Sequence, residues 1–512
     1  MSRLAAIGSW LKRHKLDVAA MLVLAGVTAA VSMTNMANYP QRFEDEGTYI
    51  SQAWAIEEKG QLTHYTYWYD HPPLGWIQIA AYLMVTQGFE RYDSAISAGR
   101  EFMVILHTFS VVLLYALARR LGLGVVASAI GGLLYALSPL SIEFSRYVLL
   151  DNVAMPWLLA AFVLALSPRR SLLAAVGSAV CMAFAILSKE TFLALLPVLI
   201  YALWRSGDPR NRRYTLTAFG VVFMMISATY VLYAVLKNEL LPGQGHVSLI
   251  GTFIWQIFGR AGTGSIFQEG TQAHGLVGYW LVRDFWLLAF GLVSLIPALI
   301  YKNLRPVGLA LLIGLLLTLR EGYLPYPHII TLLPFAALCF AGLLDKLVFK
   351  PLTHNKFVHG HFGRQVAACA VVAVVAVTSA VFVAPMWQSR IQALTQADID
   401  SSSRQAVDWI SDNVPRSSRL VVESALWSDL EGSGFTQPNP VWLYKTETDP
   451  AVTSSLGGWQ GIDYIILNGP TIGGNGFNDT FPTVSEAMKN SEIVTEFGTG
   501  REKILVFKVK HQ

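Results

Sequence analysis

The chain has 512 residues, a mean hydropathy of +0.44, 53% hydrophobic residues and 14% charged residues, against roughly 25% charged in an ordinary soluble domain. That composition excludes a water-soluble globule as the main architecture and points to lipid as the principal solvent. A formal net charge of +4, with the basic residues at the ends of apolar runs and not along one stripe, gives no footprint for nucleic acid.

The first apolar run, Leu16 to Thr34, follows the basic segment Lys12-Arg13-His14-Lys15. It is longer than the apolar region of a signal peptide and lacks a small-x-small cleavage site before Asn35, so it reads as an uncleaved first span. After a polar loop over 35–100 come Glu101 to Leu117, Val125 to Ile142, Val153 to Leu166, Leu172 to Leu187, Phe192 to Trp204, Leu216 to Leu236, Phe285 to Ile300, Val307 to Leu319, Ile329 to Val348 and Gln365 to Ala384. With the first, these predict an α-helical polytopic bundle of about eleven spans over residues 1–385. Leu74 to Gly88, inside the long loop, reads as a helix lying in the interface.

Basic groups at Arg119-Arg120, Arg169-Arg170, Arg205 to Arg213, Lys302 to Arg305 and Lys346 to Arg364 fall in alternate loops. The positive-inside rule makes these loops and the amino terminus cytoplasmic and the other loops, with everything after Pro385, extracytoplasmic. Cys181, Cys339 and Cys369 lie in apolar runs, and no disulfide is expected.

Residues 386–512 change character, with apolar runs of strand length and frequent turn residues. Helices at Arg404 to Asn413 and Val484 to Asn490, with strands at Arg419 to Val422, Tyr464 to Leu467 and Ile504 to Val509, predict a small extracytoplasmic α/β domain. The domain is expected to be separable from the chemistry of the bundle. Its Trp427, Trp442, Tyr444 and Trp459 read either as an acceptor grip or as its own core.

The ionisable residues gather on the predicted outward side. Glu44-Asp45-Glu46 opens the first loop, where adjacent carboxylates repel and raise at least one pKa, as a general base or a cation site requires. The same loop carries Tyr49 and the run Tyr67-Trp68-Tyr69-Asp70-His71-Pro72-Pro73-Leu74-Gly75, whose rings suit a sugar or an interface. Arg146 and Asp151 flank the next outward turn and read either as a mutual ion pair or as ligands for a charged group. Lys189 interrupts a continuous apolar stretch, which marks it as an anion ligand unless it snorkels to the surface. Arg320, between two later spans, is a candidate fork for phosphate.

Asp45-Glu46, His71 to Gly75, Leu137 to Asn152 and Leu187 to Glu190, in that order and spacing, resemble the superfamily of dolichyl-phosphate-mannose protein mannosyltransferases and bacterial lipid A aminoarabinose transferases. The resemblance implies the C-type glycosyltransferase fold, a polyprenyl-phosphate sugar donor, an inverting reaction and an outward active site. It assigns Asp45 as base with Glu46 as partner, Asp151 as the second acid and Lys189 to the donor phosphate; the charge that a departing phosphate needs adds Arg320 and His71, with Arg146, as candidate phosphate ligands. Tyr49, Tyr69 and Asp70 fall to the sugar or acceptor. Asp70-His71 stands where the aminoarabinose transferases carry an acid-Lys pair, and the 237–284 loop is too short for the inserted repeats of the eukaryotic mannosyltransferases, so a bacterial member in the cell membrane is expected. The acceptor is left open among lipid, protein and glycan, and so is the sugar. A divalent metal near the acids is left open too, with no ligand set. The rival readings are a flippase or transporter of lipid-linked sugars, for which the two related halves are not visible, and a glycan-sensing membrane protein without activity.

Overall fold

In a computed structural model of the chain, residues 14–243, 246–353, 362–435, 439–474 and 476–511 are described. Every apolar segment expected to span is helical where it is described. Among the described residues six helices have the length and apolarity to cross a membrane, or seven if the pair Val125–Leu137 and Pro139–Arg146, bent by 59°, counts as one. The expected number of about eleven spans is not reached by these helices alone and would need the shorter apolar helices as well.

The reason is local. Leu150–Ala165, Leu172–Ser188 and Arg305–Leu319 have 16, 17 and 15 residues, so at about 1.5 Å per residue they rise some 22–26 Å, short of a hydrocarbon core of about 30 Å. Two chain breaks shorten the segments further. Ser138 caps a new helix that starts at Pro139, and Lys189, extended at φ −151° and ψ 110°, separates Leu172–Ser188 from the tight turn Glu190–Leu195. These breaks expose backbone and admit polar side chains at one end of the bundle, next to the 35–100 loop.

That loop is itself structured. Glu44–Lys59 is a helix, as is Leu74–Thr86, whose Trp76, Ile79, Ala80 and Leu83 are buried while Ile77 and Met84 are exposed. The first turn of Glu44–Lys59 is pinned by a buried ion pair in which Glu46 accepts from Arg100 Nε at 2.9 Å and Nη2 at 2.7 Å. Glu46 also accepts from the backbone N–H groups of Phe43 and Val148, both at 3.0 Å.

In the carboxy-terminal region a five-stranded sheet runs in the order β2-β1-β3-β5-β4, with β1 Leu420–Val422, β2 Val441–Trp442, β3 Tyr464–Asn468, β4 Ser491–Phe497 and β5 Ile504–Val509. The first three are parallel, and β5 is antiparallel to both β3 and β4. β1, β3 and β5 are the expected strands. β2 has only two residues and β4 is a largely exposed edge reading Ser-Glu-Ile-Val-Thr-Glu-Phe, so neither has the apolar run that betrays a buried strand.

The domain packs closely on the first loop of the bundle. Trp427 and Trp442 lie in its core, but Trp54, His64 and Tyr65 of the first loop pack on them, with ring centroids 5.1 Å apart for Trp54–Trp427, 4.3 Å for His64–Trp427 and 4.7 Å for Tyr65–Trp442. Arg42 of the loop forms buried ion pairs with Asp400 at 3.0 Å and Asp429 at 2.5 Å. At Gly47 a Cβ would overlap the Ser424 carbonyl, so the close approach of the two helices needs glycine there. The domain thus packs on one side of the first loop, while Tyr49, Ile50 and Ala53 of the same loop lie in the core of the bundle.

Arg100→Met should leave the Glu46 carboxylate buried without its cation and cost about 3–5 kcal/mol of stability, read as a large fall in the thermal midpoint of the detergent-purified protein. An unchanged midpoint would contradict the pinning role.

Candidate active site

Successive residues of a helix turn by about 100°, so Glu44, Asp45 and Glu46 face three different surroundings. Glu46 points into the bundle and Glu44 toward the carboxy-terminal domain. Asp45 turns to a third side, where Lys189, His71, Asp70 and Arg260 are the ionisable groups near enough to act on it. Among the described residues none donates a hydrogen bond to the Asp45 carboxylate. Burial pushes its pKa up, while the positive charges of Lys189 and Arg260 pull it back down. The expectation that mutual repulsion dominates is thus replaced by burial.

The other acids and cations converge because the loop seats on the two short helices. A Cβ at Gly75 would lie 2.5 Å from Leu150 Cδ2 and 3.0 Å from the Ser188 carbonyl, so glycine brings the His71–Gly75 turn onto the residues that precede Asp151 and Lys189. Lys189 Nζ lies 3.1 Å from His71 Nε2 and 4.0 Å from Asp151 Oδ2. A lysine ammonium only donates, so His71 Nε2 accepts, and its Nδ1–H donates to Glu190 Oε2 at 2.9 Å. Lys189 is buried, with 7% of its side chain exposed, so it does not snorkel.

Tyr49 lies beside His71, with ring centroids 6.2 Å apart. Tyr69, held at φ +58°, directs its hydroxyl to Glu239 at 2.5 Å, and Tyr67 donates to the His71 carbonyl at 2.6 Å. Lys445, from the carboxy-terminal domain, sits 5.3–5.5 Å from the rings of Tyr65, Trp68 and Tyr444. Burial brings its pKa down to about 8 against the pull of Asp449 and Asp70.

Two expected phosphate ligands, Arg146 and Arg320, and Glu46, the expected partner of the base, have other partners. Arg146 is fully buried and makes no ion pair with Asp151; its guanidinium donates to the carbonyls of Val31, Ser32, Thr34, Tyr39 and Leu394 at 2.7–3.2 Å. Glu46 has both oxygens committed to Arg100 and backbone, so it supports Asp45 from the bundle side. Arg320 is exposed and donates to the Tyr323 carbonyl at 3.3 Å.

The cation that sequence reasoning missed is Arg260, whose guanidinium stacks 3.4 Å from the Tyr323 ring and also donates to Gln256 at 2.9 Å. Its signal was a lone arginine closing the apolar run Trp255 to Gly259. Glu190 was also missed, although it adjoins Lys189. Among the described residues no group of three His, Cys, Asp or Glu side chains has the geometry to hold a metal ion, so no step is routed through one.

Residues 70–240 match the family described as dolichyl-phosphate-mannose-protein mannosyltransferase. The fold superposes on ArnT from Cupriavidus metallidurans bound to undecaprenyl phosphate, with a TM-score of 0.61, 17% identity and coverage of 97% of this chain and 98% of that one. Against the apo state of the same protein the values are 0.59, 15%, 98% and 98%. The archaeal oligosaccharyltransferase AglB from Archaeoglobus fulgidus, in complex with an inhibitory peptide and a dolichol-phosphate, gives 0.55 and 10% over 90% of this chain and 70% of that one. No curated protein matches the sequence. The chain has the C-type glycosyltransferase fold.

Arg146→Lys has three donors for five carbonyls and should cost about 1–3 kcal/mol for each acceptor left unmet. The thermal midpoint should fall while binding of polyprenyl phosphate per folded molecule stays the same. A selective loss of that binding would return Arg146 to the ligands.

Proposed function

We propose that the protein transfers a sugar, with inversion, from a polyprenyl-phosphate carrier to an acceptor hydroxyl on the extracytoplasmic side of the cell membrane. The observation that carries this reading is a half-buried carboxylate, Asp45, with no hydrogen-bond donor among the described residues, set within electrostatic reach of the buried Lys189 and of Arg260 at one end of an apolar bundle. Support comes from the fold, shared over almost the full length with a protein solved with undecaprenyl phosphate bound.

The chemistry suits those groups. A polyprenyl phosphate leaves with the electron pair of the bond to the sugar's anomeric carbon, so its departure needs fixed positive charge more than a strong acid. Lys189 and Arg260 supply that charge, and Asp151, with His71 and Glu190, keeps Lys189 ionised and in place. The acceptor oxygen attacks the anomeric carbon from the face opposite the phosphate and gives its proton to Asp45. Tyr49, Tyr69 and Asp70 line the approach for the sugar or acceptor. A pentose or mannose-like hexose fits the reading, and the acceptor is a lipid, a protein or a glycan.

Asp45→Asn retains size but cannot take the proton, so turnover should drop by about 10²–10⁴ with donor binding intact. Lys189→Met should instead weaken binding of the lipid-linked sugar. Both are measured as release of polyprenyl phosphate by purified protein. Because Asp45 must be ionised and burial raises its pKa, the acid limb of the rate profile should lie above the ordinary aspartate value of about 3.9. Near-wild-type turnover in Asp45→Asn would remove it from the role of base.

A further inference from the structure

Glu44, beside the candidate base, reaches to the junction with the carboxy-terminal domain. There Ser424 Oγ lies 2.6 Å from the Glu44 carbonyl oxygen and 2.6 Å from Glu44 Oε2. A hydroxyl has one hydrogen, and a backbone carbonyl has none to give. If Ser424 donates to the carbonyl, the second short contact needs a hydrogen on Glu44 Oε2. The other oxygen, Oε1, is buried without a hydrogen-bond partner, as the carbonyl oxygen of a neutral carboxyl tolerates far better than a carboxylate does.

The neighbouring acid behaves in the opposite way. Glu423 accepts through both oxygens, from the Asn468 backbone N–H at 2.7 Å and the Asn468 side-chain amide at 2.6 Å; burial raises its pKa too, but these donors favour its ionised form, which Glu44 lacks the partners for. The charges acting on Glu44 are those of Glu423 and of Asp45 on its own helix, and both are negative. Tyr444 also faces it from the carboxy-terminal domain, and the nearby Arg42 is committed to Asp400 and Asp429.

We propose that Glu44 is a neutral carboxylic acid whose hydrogen clamps the first turn of the Asp45 helix onto the carboxy-terminal domain, which makes Glu44 a positioning residue for the base. The positioning role rests on Asp45 being that base, whereas the clamp does not. Ionising Glu44 puts two carboxylates together at a buried junction and breaks its bond to Ser424, so the junction should loosen at alkaline pH. Burial and the Glu423 charge push the Glu44 pKa up to about 8 from an ordinary 4.5. The folded state therefore holds a proton that the unfolded chain releases, and stability is full below about 4.5, falls with rising pH and levels off above about 8.

The test compares full-length wild type, Glu44→Gln and Glu423→Gln in detergent, by thermal midpoint from pH 5 to 9 and by rate of polyprenyl phosphate release. The amide of Gln copies the shape and the donor of the neutral acid, so Glu44→Gln should fold, match wild-type turnover at pH 6, lose most of the fall in midpoint and keep its turnover above pH 8. Glu423→Gln should move the alkaline loss to higher pH. If Glu44→Gln fails to fold or keeps the wild-type pH dependence in both readouts, Glu44 is not held neutral and the proposal falls. Should the wild type release no polyprenyl phosphate, the assignment of Asp45 fails while the midpoints still decide the clamp.

Discussion

The buried pair of Arg100 and Glu46 is the constraint on which the site depends. Neither side chain exposes more than 1% of its surface. Stripping two charges of water costs more than their attraction returns unless the remaining donors and acceptors are also met. Here they are, since Glu46 receives two guanidinium and two backbone N–H bonds, and Arg100 Nη1 donates to the carbonyls of Met36 at 3.0 Å and Pro40 at 2.8 Å. One pair therefore fixes the exit from the first helix, the start of the Asp45 helix and the Val148 segment that leads to Asp151. Two acids from distant parts of the chain acquire a defined separation through it.

A second consequence concerns the carboxy-terminal domain. Its tryptophans, Asp400, Asp429 and the 424–432 helix pack against the first loop, so the domain and the loop that carries Asp45 are held together. Lys445 carries a positive charge from the domain toward Asp70. The bundle cations and the domain lie on different sides of the Asp45 helix, and a loosened junction would reach Asp45 through its neighbour Glu44.

Much of this was legible in the sequence, for reasons that can be named. Apolar runs located the helices because lipid imposes one simple pattern, and Lys189 stood out because an ammonium in an apolar stretch needs a cause. What failed was orientation. Glu44, Asp45 and Glu46 read as one acidic patch, yet the helix that begins at Glu44 sends each to a different partner. Arg146 read as a ligand because its five carbonyl acceptors come from the first helix, its exit and the distant Leu394, and no local pattern announces such a set. Arg260 was hidden in a loop with no motif around it. Helix length was hidden where Ser138-Pro139 and Lys189 cut apolar sequence into helices shorter than a membrane.

The central claim is that the phosphate of a polyprenyl carrier sits between Lys189 and Arg260, opposite Asp45. An electron cryomicroscopy structure of the purified protein with polyprenyl phosphate tests it most directly. The account predicts phosphate density within hydrogen-bond reach of both the Lys189 ammonium and the Arg260 guanidinium, with the Asp45 carboxylate left free on the opposite side. Phosphate bound at Arg320, or at the basic residues on the opposite face of the bundle with Lys189 and Arg260 empty, would contradict it.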